Sequence, residues 1–105
     1  DINLITVLCA GTGSGLQAPD VNGNWHDIHC DPGSIAGNTG DMLQMCANNY
    51  LPSTTHRAIN PEGDKSNVAR MSMPLFLHPK DDVVLSMEHT AGTYLFERLQ
   101  EIGLK

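Results

Sequence analysis

Ten glycines and six prolines punctuate this chain, marking off short segments of about five to nine residues between breakers. Segments that short suit strands better than helices. The rhythm therefore predicts a mainly β chain with one helix rather than alternating βαβ units. In order, Ile2 to Leu8 is rich in β-branched residues and runs into Ala10-Gly11-Thr12-Gly13-Ser14-Gly15, where three glycines make a loop. Gly15 to Ala18 begins a second strand. The pair Asn22-Gly23 favours positive φ at both central positions of a tight hairpin turn, which returns Trp25 to His29 as the partner strand.

After Pro32-Gly33, Ser34 to Thr39 reads as another strand, and Gly40-Asp41 turns it toward the polar stretch around Asn48-Asn49-Tyr50. Ser53 to Ile59 resumes extended structure and stops at Asn60-Pro61. Glu62 to Asn67 has no periodicity and reads as a solvated loop, and Val68 to Leu77 is the longest strand candidate. Thr90 is placed to cap a helix over Ala91 to Ile102, with Tyr94, Leu95, Leu99 and Ile102 at helical spacing and Gly103 as its stop.

Composition narrows the class. With 105 residues the chain is sized for a single domain. At 40% apolar and 17% charged residues it is too apolar for a disordered segment, and no apolar run approaches the roughly 20 residues that span a bilayer. A net charge of −6 without a Lys/Arg cluster argues against nucleic-acid binding. The odd set Cys9, Cys30 and Cys46 suits reduced thiols in a cytoplasmic compartment. Opening on Asp1 without a Met or a cationic leader, the chain reads as a piece of a longer polypeptide.

Few residues carry chemistry. Gly11-x-Gly13-x-Gly15 resembles a phosphate-cradling turn only superficially, because Pro19 and Asn22-Gly23 follow where a helix should open. Read as a strand, Arg70 to Leu77 places Arg70, Ser72, Pro74 and Phe76 on one face and Met71, Met73, Leu75 and Leu77 on the other. The methionine and leucine face reads as core. On the first face a buried guanidinium would demand an anion; the plainer alternative is an edge strand from which Arg70 reaches solvent or a carboxylate. His56, within Ser53-Thr54-Thr55-His56-Arg57, is either a metal ligand or a partner for a backbone carbonyl, and Asp1 by itself reads as a capping or surface carboxylate. His26 and His29 lie three apart and so on opposite strand faces, which is poor ligand geometry. His78 sits at a strand end and His89 beside the helix cap.

Taken together, Asp1-Ile2-Asn3-Leu4-Ile5-Thr6-Val7-Leu8, Gly15-Leu16-Gln17, Trp25, Pro32-Gly33-Ser34, Asn38-Thr39-Gly40-Asp41, Ser53-Thr54-Thr55-His56-Arg57 and Arg70-Met71-Ser72-Met73-Pro74-Leu75-Phe76 form one ordered string. It resembles the isopenicillin N synthase-like family of iron(II)/2-oxoglutarate-dependent dioxygenases, from Asp1 to about Pro79. The C-terminal helix also resembles that of bacterial members.

The resemblance implies a double-stranded β-helix, a jelly-roll, incomplete at its N-terminal side, forming the C-terminal part of a catalytic domain over residues 1–105. It implies that Asp1 corresponds to the Asp of an HxD pair and His56 to the distal histidine, together binding Fe(II). The first His of that pair would fall two positions before Asp1. Arg70 and Ser72 match an RxS pair that holds the far carboxylate of 2-oxoglutarate, and Phe76 an aromatic that lines the substrate pocket. The small pair Ala36-Gly37 departs from the bulky β-branched residues usual before Asn-x-Gly-Asp.

The implied activity is oxidation of a small molecule by dioxygen with release of succinate and carbon dioxide. A fragment lacking one imidazole would bind iron weakly, and its bare strand edges would favour self-association. The rival reading is a non-catalytic β-sandwich module that binds a ligand or partner without metal.

Overall fold

The computed structural model describes residues 1–11 and 13–105, with the Lys65 side chain outside the description. The glycine loop is therefore described apart from Thr12. Among the described residues, six strands form two antiparallel sheets of three. In the first, β1 (Ile5–Cys9) lies between β4 (Ile35–Thr39) and β6 (Pro74–Leu77); in the second, β2 (Leu16–Pro19) lies between β3 (Trp25–Asp27) and β5 (Arg57–Ala58). The β-branched run of β1 takes the central position, where both edges are satisfied by ladder hydrogen bonds.

Register decides which side chains share a face. Thr6 pairs with Asn38 on one side and Phe76 on the other, and Leu8 pairs with Ala36 and Pro74. These two rows point the same way, since alternate residues of a strand do. They meet Leu16 and Ala18 of the other sheet, and Ile28 just after β3, across a shared cavity.

The β2–β3 hairpin forms as expected, but its turn differs. Gly23 alone has positive φ, at 83°, and its N–H donates to the Asp20 carbonyl at 3.0 Å. The Asp20 carboxylate accepts from the backbone N–H groups of Asn22 and Asn24 and meets His26 Nε2 at 2.8 Å. These bonds hold the loop without a second left-handed residue. Chiefly the bond to His26, then that from Asn24, hold the Asp20 carboxyl well below its ordinary range.

The α-helices among the described residues are α1 (Asp41–Cys46) and α2 (Ala91–Glu101), and a 3₁₀ turn spans Gly63–Asn67. The expected C-terminal helix forms with Thr90 as N-cap in a capping box with Thr93, and Gly103, at φ 77°, follows its end. The hydrophobic core lies here. Met42, Leu85, Ala91 and Tyr94 are buried, and Ile2, Leu4, Met45 and Leu95 pack against them.

Three expectations require correction. The stretch after Gly40, read as a turn, is α1; six residues are too few for helical periodicity to show. The strand expected over Val68 to Leu77 ladders only from Pro74, because its partner β1 ends at Cys9 and the chain passes into the glycine loop. Met71, Met73, Leu75 and Leu77 are 52–65% exposed rather than core; Leu75 and Leu77 belong to β6, an edge strand of its sheet, and the two methionines precede it. The Cα radius of gyration, 15.7 Å, exceeds the about 13 Å of a compact domain this long, in keeping with that exposure. Cys9, Cys30 and Cys46 are free thiols, and among the described residues no helix is long and apolar enough to cross a membrane.

Candidate active site

Asp1 and His56, 55 positions apart, converge. Asp1 Oδ1 lies 3.3 Å from His56 Nε2, with both side chains partly buried. The unforeseen helix α1 makes this possible from two directions. Its first N–H groups hold the segment that leads into β1: Asp41 N donates to the Asp1 carbonyl at 2.7 Å and Met42 N to Asn3 O at 3.2 Å, while Gly40 N reaches Leu4 O at 2.8 Å. Its side chains hold the other segment. Gln44 Oε1 accepts from Ser53 N at 2.6 Å, and Asp41 Oδ1 accepts from Ser53 Oγ at 2.5 Å. The end of β4 adds a bond from Thr54 N to Thr39 O at 3.1 Å.

Alternation then aims the two neighbours apart. His56 lines the cavity, whereas Arg57 stacks over the Trp25 ring at 4.0 Å and donates to Gln17 Oε1.

The hydrogen bonds of the pair define what it can hold. His56 Nδ1 is 2.9 Å from the Thr54 carbonyl. A carbonyl only accepts, so Nδ1 carries the hydrogen and Nε2 offers its lone pair toward Asp1. Asp1 Oδ2 accepts from Thr6 Oγ1 at 2.5 Å and Asn38 Nδ2 at 3.0 Å, leaving Oδ1 turned to Nε2. Two electron-pair donors facing each other require either a proton on Nε2 or a shared cation. Ligands at right angles with bonds of about 2.1 Å stand about 3.0 Å apart, so the observed 3.3 Å suits a divalent ion. Carboxylate plus imidazole is also the donor chemistry of non-haem iron sites. Among the described residues, no group of three or more His, Cys, Asp and Glu side chains gathers closely enough to hold a metal.

The cavity behind the pair measures about 300 Å³ and includes Ser72, Pro74 and Phe76. A neighbouring cavity of about 230 Å³ includes Arg70, Ser72 and Cys30. The two share Leu8, Leu16, Ile28, Ala36 and Ser72 in their walls, so they form one trough with Ser72 at the seam.

Of the two readings of Arg70, the structure shows the exposed one rather than a buried guanidinium: the side chain is exposed, and its Nη1 donates to the Ser14 carbonyl rather than to a carboxylate. Its stem lies on the glycine loop: a Cβ on Gly13 would sit 3.1 Å from Arg70 Cδ, and one on Gly15 would sit 2.6 Å from Nη1. Two of the glycines that resembled a phosphate turn, Gly13 and Gly15, are thus the bed of an arginine. Phe76, about half exposed, stands in the Thr6 row at the mouth of the cavity.

The family model of the 2OG-Fe(II) oxygenase superfamily matches residues 1–79. The chain belongs to this family. A crystal structure of a putative oxygenase from Shewanella oneidensis is 52% identical, with a TM-score of 0.84 over 100% of this chain and 39% of that one. A full-length Neurospora crassa protein crystallised in complex with alpha-KG is 25% identical, with a TM-score of 0.84 over 97% of this chain and 36% of its own. Protein DMR6-LIKE OXYGENASE 2 of Arabidopsis thaliana is 37% identical over 86 residues, 82% of this chain and 23% of the relative.

The chain spans 19–26% of the length of the curated relatives it matches. Its two three-stranded sheets and C-terminal helix are the family's double-stranded β-helix fold as far as this chain covers it. The rival non-catalytic module is not favoured by these likenesses.

Thr6, Asn38, Asn3 and Thr54 went unrecognised as parts of the site. A signal existed for two of them: Asn3 and Thr6 are polar positions inside an otherwise apolar strand run.

Proposed function

We propose that this chain is the C-terminal part of an oxygenase catalytic domain that oxidises a small molecule using Fe(II), 2-oxoglutarate and dioxygen. The observation that carries the reading is the 3.3 Å approach of Asp1 Oδ1 to His56 Nε2 on the wall of a cavity that also holds Ser72 and Phe76. When bound, iron(II) supplies the coupling of oxidative decarboxylation of 2-oxoglutarate, giving succinate and carbon dioxide, to oxidation of the substrate.

The chain's own residues have separate tasks. Asp1 and His56 are two of the metal's ligands, and the Thr54 carbonyl keeps the His56 lone pair on Nε2. The trough suits a molecule anionic at both ends. One end lies at the Asp1–His56 pair, while the far carboxylate reaches the Arg70 fork and the Ser72 hydroxyl. Arg70 is held for this by the Ser14 carbonyl and the glycine bed. Leu8, Leu16, Ile28 and Ala36 form apolar walls that exclude water around the reacting atoms. Phe76 borders the substrate. The substrate itself is a small molecule whose remaining contacts lie outside this chain.

The test is a thermal melt of the complete protein with a redox-inert divalent metal and increasing 2-oxoglutarate. A ligand of the folded state raises stability by about 2.7 kcal/mol at a hundredfold excess over Kd. The rise should disappear in Arg70→Leu, and the metal dependence should disappear in His56→Ala. A rise that survives both substitutions refutes the proposal, and function unchanged in His56→Ala would favour a module that works without metal.

A further inference from the structure

We propose that Thr6 and Asn38 are positioning residues that confine Asp1 to one metal-facing oxygen, with Asn3 setting the direction of the Thr6 hydroxyl. The inference rests on the reading of Asp1 as a metal ligand and deepens it.

Asn3 and Thr6 are 1% and 4% exposed, and burying such groups is costly unless they are bonded. Their bonds run in one direction. The Asn3 Nδ2 group has two hydrogens; one goes to the Ile5 carbonyl at 2.8 Å and the other to Thr6 Oγ1 at 3.1 Å. Thr6 Oγ1 therefore accepts from Asn3 and must send its own single proton elsewhere.

Two acceptors compete for it, Asp1 Oδ2 at 2.5 Å and Asn3 Oδ1 at 3.4 Å. The nearer one is also charged, and a hydroxyl–carboxylate bond of this length is the stronger kind. Asn38 Nδ2 supplies a second donor to the same oxygen at 3.0 Å. Thr6 and Asn38 are direct cross-strand partners, so the ladder between β1 and β4 fixes both donors relative to each other.

Asp1 Oδ2 is thus occupied by two donors, while Oδ1 faces His56 Nε2. With both lone pairs of Oδ2 taken, a carboxylate that bound the metal through both oxygens would have to release at least one of these bonds. The network therefore selects coordination through Oδ1 alone and prevents the carboxylate from turning. A valine at position 6 would fill a similar volume but donate nothing, which separates positioning from packing.

The experiment titrates Mn(II) anaerobically into the complete protein and reads free Mn(II) by electron paramagnetic resonance, with circular dichroism melts confirming folding. Thr6→Val should weaken Mn(II) binding about 10–100-fold, the range for residues that orient metal ligands. Thr6→Ser, which keeps the hydroxyl, should restore it. Wild-type affinity in a folded Thr6→Val protein overturns the inference. Asp1→Ala is the separate check: if it binds Mn(II) as tightly as wild type, the ligand assignment itself falls.

A measurement without substitution covers a Thr6→Val protein that does not fold. In a Co(II)-loaded crystal of the wild type, one Asp1 oxygen should bind the metal at about 2.0–2.2 Å, with Oδ2 still held by Thr6 and Asn38. A bidentate Asp1 overturns the inference.

Discussion

Gly40→Ala isolates the role of α1 in building the site. Gly40 has φ −109°, a conformation open to alanine, so backbone strain does not enter. The effect is steric. An added Cβ would lie 2.0 Å from the Asn3 carbonyl oxygen and 2.8 Å from its carbon. Relief to the 3.0 Å below which real contacts essentially never go requires a shift of about 1 Å between residues 1–4 and the start of α1.

Such a shift stretches the bonds from Gly40 N to Leu4 O, Asp41 N to Asp1 O and Met42 N to Asn3 O, now 2.7–3.2 Å, past hydrogen-bonding range. At about 0.5–1.5 kcal/mol each, the loss of these three destabilises the protein by about 1.5–4.5 kcal/mol. Asp1 moves with its carbonyl, and Mn(II) affinity should fall at least about tenfold.

The matched control is Gly37→Ala, three residues earlier in β4. Its Cβ would meet nothing nearer than Thr6 O at 3.8 Å, and its stability should stay within about 0.5 kcal/mol of wild type. Urea denaturation of the complete protein measures both variants, with an unchanged m-value showing that the comparison is of stability alone. If Gly40→Ala unfolds at the wild-type midpoint, the account of α1 as the clamp on Asp1 is wrong.

Gly15→Ala places a side chain at φ +127° and a Cβ 2.3 Å from the Ile59 carbonyl oxygen and 2.6 Å from Arg70 Nη1. It should cost about 1–3 kcal/mol of strain and abolish stabilisation by 2-oxoglutarate in thermal melts; a retained ligand-dependent shift refutes the glycine bed. The Asp20 carboxyl, held down chiefly by His26, should titrate below 3.8 in carboxyl-carbon NMR and move up toward 3.8 in His26→Ala. Because its folded value is depressed, its stabilising contribution is present above about pH 4 and is lost only as the pH falls through that lower value. An unmoved midpoint in His26→Ala removes the imidazole as the cause. By itself, the chain should self-associate through β4 and β6, where Ile35, Leu75 and Leu77 are 52–65% exposed on edge strands. Sedimentation as a single monomer would count against this.

Local chemistry made much of the architecture legible in the sequence. Thr90 and Gly103 mark the ends of the C-terminal helix through capping and a left-handed stop, and both interactions are made within a few residues. The same holds for β1, β2 and β4, whose side-chain alternation is a property of each segment. The short α1 and the early end of the β6 ladder were not legible, because one depends on six residues and the other on where a distant partner strand stops. The site divides in the same way. His56 and Arg70 were recognisable as residues with chemistry, and the ordered string around them indicated a family, but the bare sequence left both with ordinary alternatives.

What the amino-acid sequence determined alone was the order of most extended segments, the side-chain alternation within each and the capped helix, since propensity, alternation and capping act over neighbouring residues; which face of the last strand is covered was not among them. Only the tertiary structure decided that Asp1 faces His56, that Thr6 and Asn38 share one carboxylate oxygen, and that the glycine loop cradles Arg70. Those contacts join residues as many as 56 positions apart. Their geometry is set by sheet register and by the grip of α1 on two separate segments, which no local rule contains.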